Sequence, residues 1–351
     1  MKVLVTGGAG FIGSAVVRHL IDDTDHAVVN LDALTYAASP DAVAVCAASP
    51  RYAFEQADVR DGAAMADILA RHSPDAVMHL AAETHVDRSI DTPSSFVDTN
   101  VVGTATLLEA VRSHWGDLPG ERRDAFRFHH VSTDEVYGSL GDSGTFDEAS
   151  PYRPNSPYAA SKAAADHLVR AWHRTYGLPA VISNCSNNFG PFQFPEKLIP
   201  LITIKALLGE RLPVYGDGGH IRDWLHVDDH AAGLLRVLED GSLGETYNIG
   251  GANERPNIAV VETICDILDD LSASAGGPRR SLVESVADRP GHDRRYAIDA
   301  GRMARELDWT PRRNFEEALA ETVGWYVDNR DWWVPLMRDR YGGERLGLAP
   351  A

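Results

Sequence analysis

The chain has 351 residues, of which 44% are hydrophobic and 24% charged, so it can bury a sizeable core and is not mainly disordered or of low complexity. Its net charge of −18 disfavours nucleic acid and anionic membranes as partners. Cys46, Cys185 and Cys265 are widely spaced, which predicts neither a disulfide framework nor a zinc site and fits a reducing cytoplasm. No apolar run is long enough to span a membrane, and the N-terminal sequence enters a strand pattern without a signal-peptide leader.

Short apolar runs alternate with amphipathic segments through the first half of the chain. Strands are predicted at 3–6, 27–31, 52–56, 76–80, 126–132 and 180–184, and helices at 11–21, 63–71, 101–113 and 158–176. Such alternation is typical of βαβ units. We therefore expect an α/β fold with a doubly wound, Rossmann-type parallel sheet.

The second half of the chain is richer in glycine and proline and has fewer long periodic segments, apart from a helix near 260–271. This change predicts a smaller, discontinuous C-terminal substrate domain formed by 187–220, 253–299 and 309–351. The doubly wound domain would comprise 1–186, with returns near 221–252 and 300–308. Residues 225–227 and 247–249 are expected to rejoin its sheet.

A glycine-rich turn follows the first predicted strand. Gly7 permits the tight turn, Gly10 lets the backbone approach a pyrophosphate, and Gly13 lets the helix pack closely on the strand. The start of the helix then offers free N–H groups to phosphates. Asp32 ends the second strand about 20 residues later, where a carboxylate bonds a ribose 2′-hydroxyl and favours NAD over NADP. Asp58 follows the third strand and can meet the adenine, although an ordinary strand-end turn also explains it.

Tyr158 and Lys162 lie on one face of a helix that Ser156 can cap and Pro157 can begin. The lysine charge is expected to lower the pKa of the Tyr158 phenol, which would allow a tyrosinate to act as a base. Alone, a Tyr and a Lys four residues apart are common on helices.

Three polar residues, Thr133, Asp134 and Glu135, stand at the end of a predicted strand, where doubly wound folds bind ligands. Two adjacent carboxyl groups can serve as acid and base if their surroundings separate their pKa values. We expect burial beside Glu135 to raise the pKa of Asp134.

Taken together, these motifs resemble those of the extended short-chain dehydrogenases/reductases, and within that superfamily the dTDP-glucose 4,6-dehydratases. The matching segments are 7–14, 31–36, 81–89, 133–138, 158–162, 187–191, 195–200 and 289–293. The chain departs from the usual pattern at Thr84, Phe189 and Ala38, where Ser, Tyr and Gly are frequent. None of these changes removes a chemical group that the reaction requires.

The resemblance implies an internal redox cycle on a nucleotide-linked glucose with tightly held NAD⁺. The C4 position is oxidised with Tyr158 as base, and water is then eliminated across C5 and C6 with Glu135 as base and Asp134 as acid. The hydride finally returns to C6, which gives a 4-keto-6-deoxy sugar nucleotide.

The resemblance also implies two sets of binding residues, and no metal is expected. The residues implied for NAD are Gly7, Gly10, Phe11, Ile12, Gly13, Asp32, Ala33, Leu34, Thr35, Asp58, Val59, Leu80, Ala81, Ala82, Thr84, Thr99, Tyr158, Lys162 and Asn188. Those implied for dTDP-glucose are Thr84, Thr133, Asn187, Lys197, Leu198, Pro213, Val214, Tyr215, Arg222, Asn257, Arg289 and His292, in which the cations would hold the diphosphate.

Several alternatives remain at this point. A sugar-nucleotide 4-epimerase has no use for the two acids beside Thr133. A dehydratase acting on UDP- or GDP-hexose is a second alternative, although Asp32 argues against the NADP typical of GDP-mannose enzymes. A nucleotide-sensing regulator usually loses the Tyr or Lys that this chain keeps. A homodimer through helices 101–113 and 158–176 is the family expectation.

Overall fold

The computed structural model describes residues 1–272 and 276–347. The strands are β1 (Lys2–Thr6), β2 (Ala27–Asp32), β3 (Tyr52–Gln56), β4 (Ala76–His79), β5 (Arg127–Thr133), β6 (Ala180–Cys185), β7 (Asn187–Phe189), β8 (Leu212–Tyr215), β9 (Ile221–His226), β10 (Thr246–Ile249), β11 (Glu254–Pro256) and β12 (Val283–Val286).

The α-helices of the described chain are α1 (Phe11–Asp22), α2 (Gly62–His72), α3 (Val86–Asp91), α4 (Pro93–Phe96), α5 (Thr104–Asp117), α6 (Gly120–Ala125), α7 (Pro157–Tyr176), α8 (Leu198–Leu208), α9 (Val227–Asp240), α10 (Asn257–Leu271), α11 (Gly301–Leu307), α12 (Phe315–Asp328) and α13 (Arg330–Asp339). A π-helical segment, Val97–Gly103, leads into α5, and short 3₁₀ helices occur at Pro40–Ala48, Asp134–Tyr137 and Arg279–Leu282. Throughout the described residues, no helix is both long and apolar enough to cross a membrane.

The central sheet has seven strands in the order β10-β6-β5-β4-β1-β2-β3, and every neighbouring pair is parallel. The predicted doubly wound fold is therefore confirmed. The strand order reverses between β1 and β4, where Val5 pairs with Asn30 on one side and with Met78 on the other. A crevice forms at the carboxyl ends of the strands at such a reversal.

Helices cover both faces of this sheet. On one face, Val16 and Leu20 of α1 pack with Leu234 of α9 in a continuous apolar cluster. On the other face, α2, α5 and α7 contribute Met65, Leu107 and Val169, among others. The faces are buried because parallel strands without polar alternation must be covered on both sides.

The expected return of 225–227 to the central sheet is wrong. Leu225 belongs to β9, which pairs with β7 and β11 in a separate three-stranded sheet, while Val227 already begins α9. The edge of β6 is occupied instead by β10, as predicted for 247–249, so no edge remains there for β9.

A second group of elements builds around its own apolar cluster. Helices α8, α10 and α12 pack together through residues such as Ile202, Ile264 and Leu319, beside the β8–β12 pair. The predicted division of the chain into two domains stays a prediction.

Candidate active site

The glycine turn after β1 is shaped for close backbone approach. Gly7 has a φ of +73°, and a Cβ there would lie 2.7 Å from the Ala81 nitrogen. A Cβ on Gly13 would lie 2.1 Å from the Gly7 carbonyl oxygen. Gly10 precedes α1, and within the described residues no side chain caps this helix. The N–H groups at its start are therefore available to an anion such as a pyrophosphate.

Asp32 lies at the end of β2 and stabilises the glycine-rich turn through hydrogen bonds. Its Oδ2 accepts a hydrogen bond from the Ala9 nitrogen at 2.9 Å, and its Oδ1 accepts one from the Leu34 nitrogen at 2.8 Å. Burial raises the pKa of this carboxyl group. Each oxygen keeps a second lone pair, so the carboxylate can also accept from ribose hydroxyls. These residues fit NAD.

The other residues expected around the dinucleotide follow neighbouring parallel strands, so they share one edge of the sheet. Ala33, Leu34 and Thr35 follow β2, Asp58 and Val59 follow β3, and Leu80, Ala81 and Ala82 follow β4, while Thr99 lies in the π-helical segment. The Asp58 carboxylate is already paired with Arg60 at 2.6 Å, which lowers the pKa of Asp58. Its contact with adenine stays a prediction.

Two of the expected cofactor residues, Asn188 and Thr84, form hydrogen bonds with other residues of the protein. The Asn188 Oδ1 lies 2.8 Å from His230 Nδ1, and its Nδ2 donates to the Ser186 carbonyl at 2.9 Å. Thr84 is exposed, and its carbonyl accepts from Lys197 Nζ at 3.0 Å. This bond links the loop after β4 to the start of α8.

The two adjacent acids follow β5 and have different surroundings. Asp134 is 1% exposed, and its Oδ2 has no hydrogen-bond partner in the described structure. Burial, and next the charge of Glu135, raise the pKa of Asp134 well above its usual value, as the sequence argument predicts. Burial also raises the pKa of Glu135, but Arg289 and Arg222 oppose this effect. Asp134 is thus the group held protonated, and Glu135 the one that ionises more readily.

Helix α7 carries the tyrosine and the lysine. The Ser156 hydroxyl accepts from the Ala159 nitrogen at 3.1 Å, and Pro157 begins the helix as expected. The expected low pKa of Tyr158 is wrong for the protein's own side chains, whereas the effect of Lys162 on this phenol stays a prediction. Lys162 Nζ donates to the Val131 carbonyl at 2.9 Å, whereas burial and the charge of Glu135 raise the pKa of Tyr158.

Arg289 and Tyr215 meet at an acid that the sequence argument missed. Arg289 Nη1 lies 2.9 Å from Asp87 Oδ1, and the Tyr215 hydroxyl donates to Asp87 Oδ2 at 2.7 Å. Asp87 is buried at the start of α3, so it ties this helix to β8 and to the loop after β12. Asp87 lies in the matching segment 81–89, which could have identified it as a site residue. Its partners Arg289 and Tyr215, however, are far away in sequence, so the contacts could not be predicted.

Arg222 is held on β9 with its charge directed toward the acids. It stacks over the Tyr296 ring at 4.3 Å, and its Nη2 donates to the Asp293 carbonyl at 3.0 Å. The Tyr296 hydroxyl in turn donates to Asp293 Oδ2 at 2.6 Å. Arg222 acts against the raised pKa of both Asp134 and Glu135. Asp293 and Tyr296 are further site residues that the sequence argument did not assign.

His292 belongs to a carboxylate-bridged pair of imidazoles. Its Nδ1 lies 2.6 Å from Asp288 Oδ1, and His220 Nε2 lies 3.2 Å from Asp288 Oδ2. The two rings stack with centroids 3.7 Å apart and planes at 14°. These three side chains have the residue types of a metal site. However, nitrogen lone pairs of stacked parallel rings lie in separate planes and do not converge on one ion.

The remaining substrate candidates border the same cleft. Leu198 begins α8, and Pro213 and Val214 lie in β8 before Tyr215. Asn187 and Asn257 each have a buried side-chain oxygen that lacks a partner within the described residues. Because buried polar atoms are normally paired, these two amides are suited to bind a ligand.

The five catalytic candidates come together at the carboxyl end of β5. Thr133 acts to lower the pKa of the Tyr158 phenol, and the charges of both acids act to raise it. The glycine turn lies two strands away in the sheet, across β4. This arrangement can combine hydride removal at a carbinol with acid–base elimination at the neighbouring carbons.

Comparisons with known proteins agree with this chemistry. A family model described as GDP-mannose 4,6 dehydratase matches residues 4–322. The dTDP-glucose 4,6-dehydratase of Neisseria meningitidis serogroup B is 58% identical over 350 residues, which cover 99% of each chain. The crystal structure of DesIV, a dTDP-glucose 4,6-dehydratase from Streptomyces venezuelae with NAD and TYD bound, is 48% identical at a TM-score of 0.88 and covers 96% of this chain and 100% of that one.

An epimerase is similar as well, but more distantly. UDP-glucose 4-epimerase from Thermus thermophilus, solved as a complex with NAD, is 29% identical at a TM-score of 0.81. The match covers 94% of this chain and 100% of the epimerase. The fold is therefore shared with epimerases, whereas the high identities are to dehydratases.

Proposed function

Because the chain belongs to the GDP-mannose 4,6 dehydratase family and, within it, to the dTDP-glucose 4,6-dehydratases, we propose that it converts dTDP-glucose to dTDP-4-keto-6-deoxyglucose and water. It is a lyase of nucleotide-sugar metabolism and carries out a step of deoxysugar biosynthesis. The observation that carries this conclusion is the pair of acids after β5, one deeply buried and one facing cations, beside Tyr158.

The first step is oxidation at C4 of the glucose. NAD, held by the glycine turn and Asp32, would supply the hydride acceptor and the hydride that later returns to C6. Tyr158 takes the proton of the 4-hydroxyl group, and Thr133 orients that group through its hydroxyl. Lys162 contributes a positive charge that opposes the raised pKa of Tyr158.

The second step is elimination of water, for which the new 4-ketone acidifies the hydrogen on C5. Glu135 removes this hydrogen as a proton. Asp134 gives its own proton to the 6-hydroxyl group, which leaves as water. Glu135 then holds the proton taken from C5 and would return it to C5 once hydride is back at C6.

The diphosphate of the substrate is held by cations on β9, in the loop after β12 and before α8, namely Arg222, Arg289 and Lys197. Arg222 and Arg289 have planar guanidinium groups that match phosphate oxygens, and Lys197 and His292 lie beside them. Tyr215, Pro213 and Val214 offer a partly apolar surface for the base. Specificity for dTDP over UDP or GDP follows from the family.

The experiment that tests this function follows a C4-deuterated substrate by mass spectrometry. We expect dTDP-glucose to lose one water and the label to appear at C6 of the same molecule. Galactose formation without loss of mass would instead establish the epimerase. No reaction with dTDP-glucose, but turnover of UDP- or GDP-hexose, would correct the substrate.

We also infer that the enzyme is a homodimer. Three apolar side chains near the expected interface are close to half exposed, namely Val97 at 49% and Val102 at 50% in the π-helical segment before α5, and Tyr176 at 48% at the end of α7. Isologous packing of this face on a second copy would cover them.

Charge introduced on that face is expected to separate the subunits. Val102→Glu should halve the mass measured by light scattering, because a carboxylate would be desolvated in the interface. Leu208→Glu is the matched control, since Leu208 is 48% exposed but ends α8, outside the central sheet and its covering helices. A monomeric native protein, or a Val102→Glu dimer, would contradict the inferred interface.

The three cysteines are free and buried, so the structure uses no disulfide among them. We infer from this that the protein works in the reducing cytoplasm. Osmotic-shock fractionation of the source cells tests the location.

A further inference from the structure

A fully buried polar cluster lies behind the catalytic lysine. Asp166 follows Lys162 by four residues on α7, so it occupies the same face of the helix. Its Oδ2 accepts hydrogen bonds from the Ser132 hydroxyl at 3.0 Å and from the Tyr152 hydroxyl at 2.8 Å. Its Oδ1 lies 3.2 Å from His130 Nε2. The mechanism above uses neither Asp166 nor its partners.

Lys162 and Asp166 carry opposite charges in a part of the protein that excludes water. The Lys162 ammonium bonds to the Val131 carbonyl, and it interacts with the Asp166 carboxylate through space rather than through a hydrogen bond. Hydrogen bonds and the charges of its neighbours lower the pKa of Asp166, so this acid stays ionised despite its burial. A buried ammonium without a counter-charge is costly and tends to lose its proton.

The other titratable groups that face this pair are neutral, apart from one arginine. Burial lowers the pKa of His79 on β4 and takes that of His130 on β5 to about 4. It raises the pKa of the Cys185 thiol on β6 and of the Tyr152 phenol in the loop before α7.

The remaining cation is Arg170, one turn further along α7. It bonds to the Tyr152 hydroxyl at 2.8 Å and lines a surface cavity of about 840 Å³ beside β10. Among the described groups that act on Lys162, Asp166 is therefore the anion at neutral pH.

We propose that Asp166 is a positioning residue that serves as the buried counter-ion of Lys162 and keeps the ammonium charged and fixed beside Tyr158 and the NAD site. Hydrogen bonds from Ser132 and Tyr152 hold this carboxylate in place. The role in turnover rests on the proposed function, whereas the effect on Lys162 itself does not.

The test reads the lysine directly. The chain has four lysines, which are Lys2, Lys162, Lys197 and Lys205. Protein labelled with ¹³C at lysine Cε therefore gives four signals, which single Lys→Arg variants assign. In Asp166→Asn we expect the Lys162 signal to titrate at least about one pH unit lower than in the native protein. Tyr152→Phe, which keeps the carboxylate, should leave that titration nearly in place.

Measurements of NAD affinity distinguish the effect of the Asp166 charge from that of its packing. Because Lys162 would lose its proton sooner in Asp166→Asn, the affinity for NAD without substrate should fall at a lower pH than in the native protein. Asp166→Glu should restore most of the native profile. An unchanged Lys162 titration in Asp166→Asn would overturn the proposal, whether or not dTDP-glucose is a substrate. A shifted titration in a protein that does not turn over dTDP-glucose would leave the proposal standing and refute only the proposed function.

A coupling measurement covers the case in which Asp166→Asn does not fold. If the unpaired Lys162 ammonium causes the folding defect, adding Lys162→Met to Asp166→Asn removes that charge. The double variant should then fold and melt at a higher temperature than Asp166→Asn alone. A double variant that stays unfolded would show that Asp166 acts through packing, and the proposal would be wrong.

Discussion

Asp134 and Glu135 differ in role because of residues that are distant in sequence. Both are acids at the end of one strand. For Asp134 the charges of Glu135 and Asp223 add to the effect of burial, whereas for Glu135 the charges of Arg289 and Arg222 are the first to oppose it. The sequence motif identifies the pair and the burial of its first member. It does not reveal the cations that favour ionisation of the second, because these arrive from β9 and from the loop after β12.

Replacing the acid is expected to slow elimination and to spare oxidation. Asp134→Asn keeps the shape of the side chain but has no acidic proton, so water loss should slow by about 100-fold or more. Rapid quenching with mass spectrometry should then reveal the 4-keto-glucose nucleotide before dehydration. A 6-fluoro substrate, whose leaving group needs no proton, should react at close to the native rate. Equal slowing of both substrates would contradict the acid role.

The elimination step should have a bell-shaped dependence on pH. Glu135 must be ionised, so the rate falls as pH drops through its raised pKa. Asp134 must be protonated, so the rate also falls as pH rises through its own pKa, which is raised further. Single-turnover rates across pH measure both limbs. In Asp134→Asn the alkaline limb that belongs to this carboxyl group should disappear, and a limb that persists unchanged would assign it elsewhere.

At the scale of elements, apolar periodicity predicts the central sheet well. Each of its first six strands is found within one residue or so of its expected position, because a parallel strand buried on both faces is a short apolar run. The π-helical turn before α5 was not predicted, since its bonding pattern leaves no periodic signal over seven residues. β9 was placed in the wrong sheet because apolar content does not specify which edge a strand joins.

The start of α1 should tolerate no side chain at Gly13. A Cβ at 2.1 Å from the Gly7 carbonyl must displace the turn, so Gly13→Ala should weaken NAD binding by at least about tenfold and lower the melting temperature. Gly116→Ala is the control, because a Cβ near the end of α5 would meet no atom within 4 Å. That change should be neutral or stabilise by up to about 1 kcal/mol. Titration calorimetry with NAD and thermal melting measure both variants.

At the scale of the whole molecule, the last helix reaches back to the loop that follows β2. Trp332 Nε1 on α13 donates to the Ser39 hydroxyl at 2.8 Å. Arg340 Nη1 donates to the carbonyls of Tyr36 at 3.2 Å and Ala38 at 2.8 Å. Aromatic residues near the C-terminus predict packing, but nothing in the sequence indicates that the partner is a loop about 300 residues earlier, next to Asp32.

Loss of the Arg340 contacts should loosen that loop. Arg340→Ala is expected to weaken NAD binding by about fivefold and to speed proteolysis between residues 33 and 48, because two carbonyls lose a charged donor. Arg338→Ala is the matched control, since Arg338 pairs only with the neighbouring Asp339 in the described structure. Similar NAD affinity in the two variants would show that α13 does not support the cofactor loop.

The path of the chain near its C-terminus affects how the protein is best attached to other molecules. The Gly347 nitrogen donates to Asp91 Oδ2 at 2.8 Å, and the same residue lies against Asp87, which holds Arg289 and Tyr215. Met1, by contrast, is exposed at the amino edge of the central sheet, opposite the cleft. An affinity tag or a fused fluorescent protein therefore belongs at the N-terminus, because one joined behind Gly347 would stand next to Asp87, on which the positions of Arg289 and Tyr215 depend.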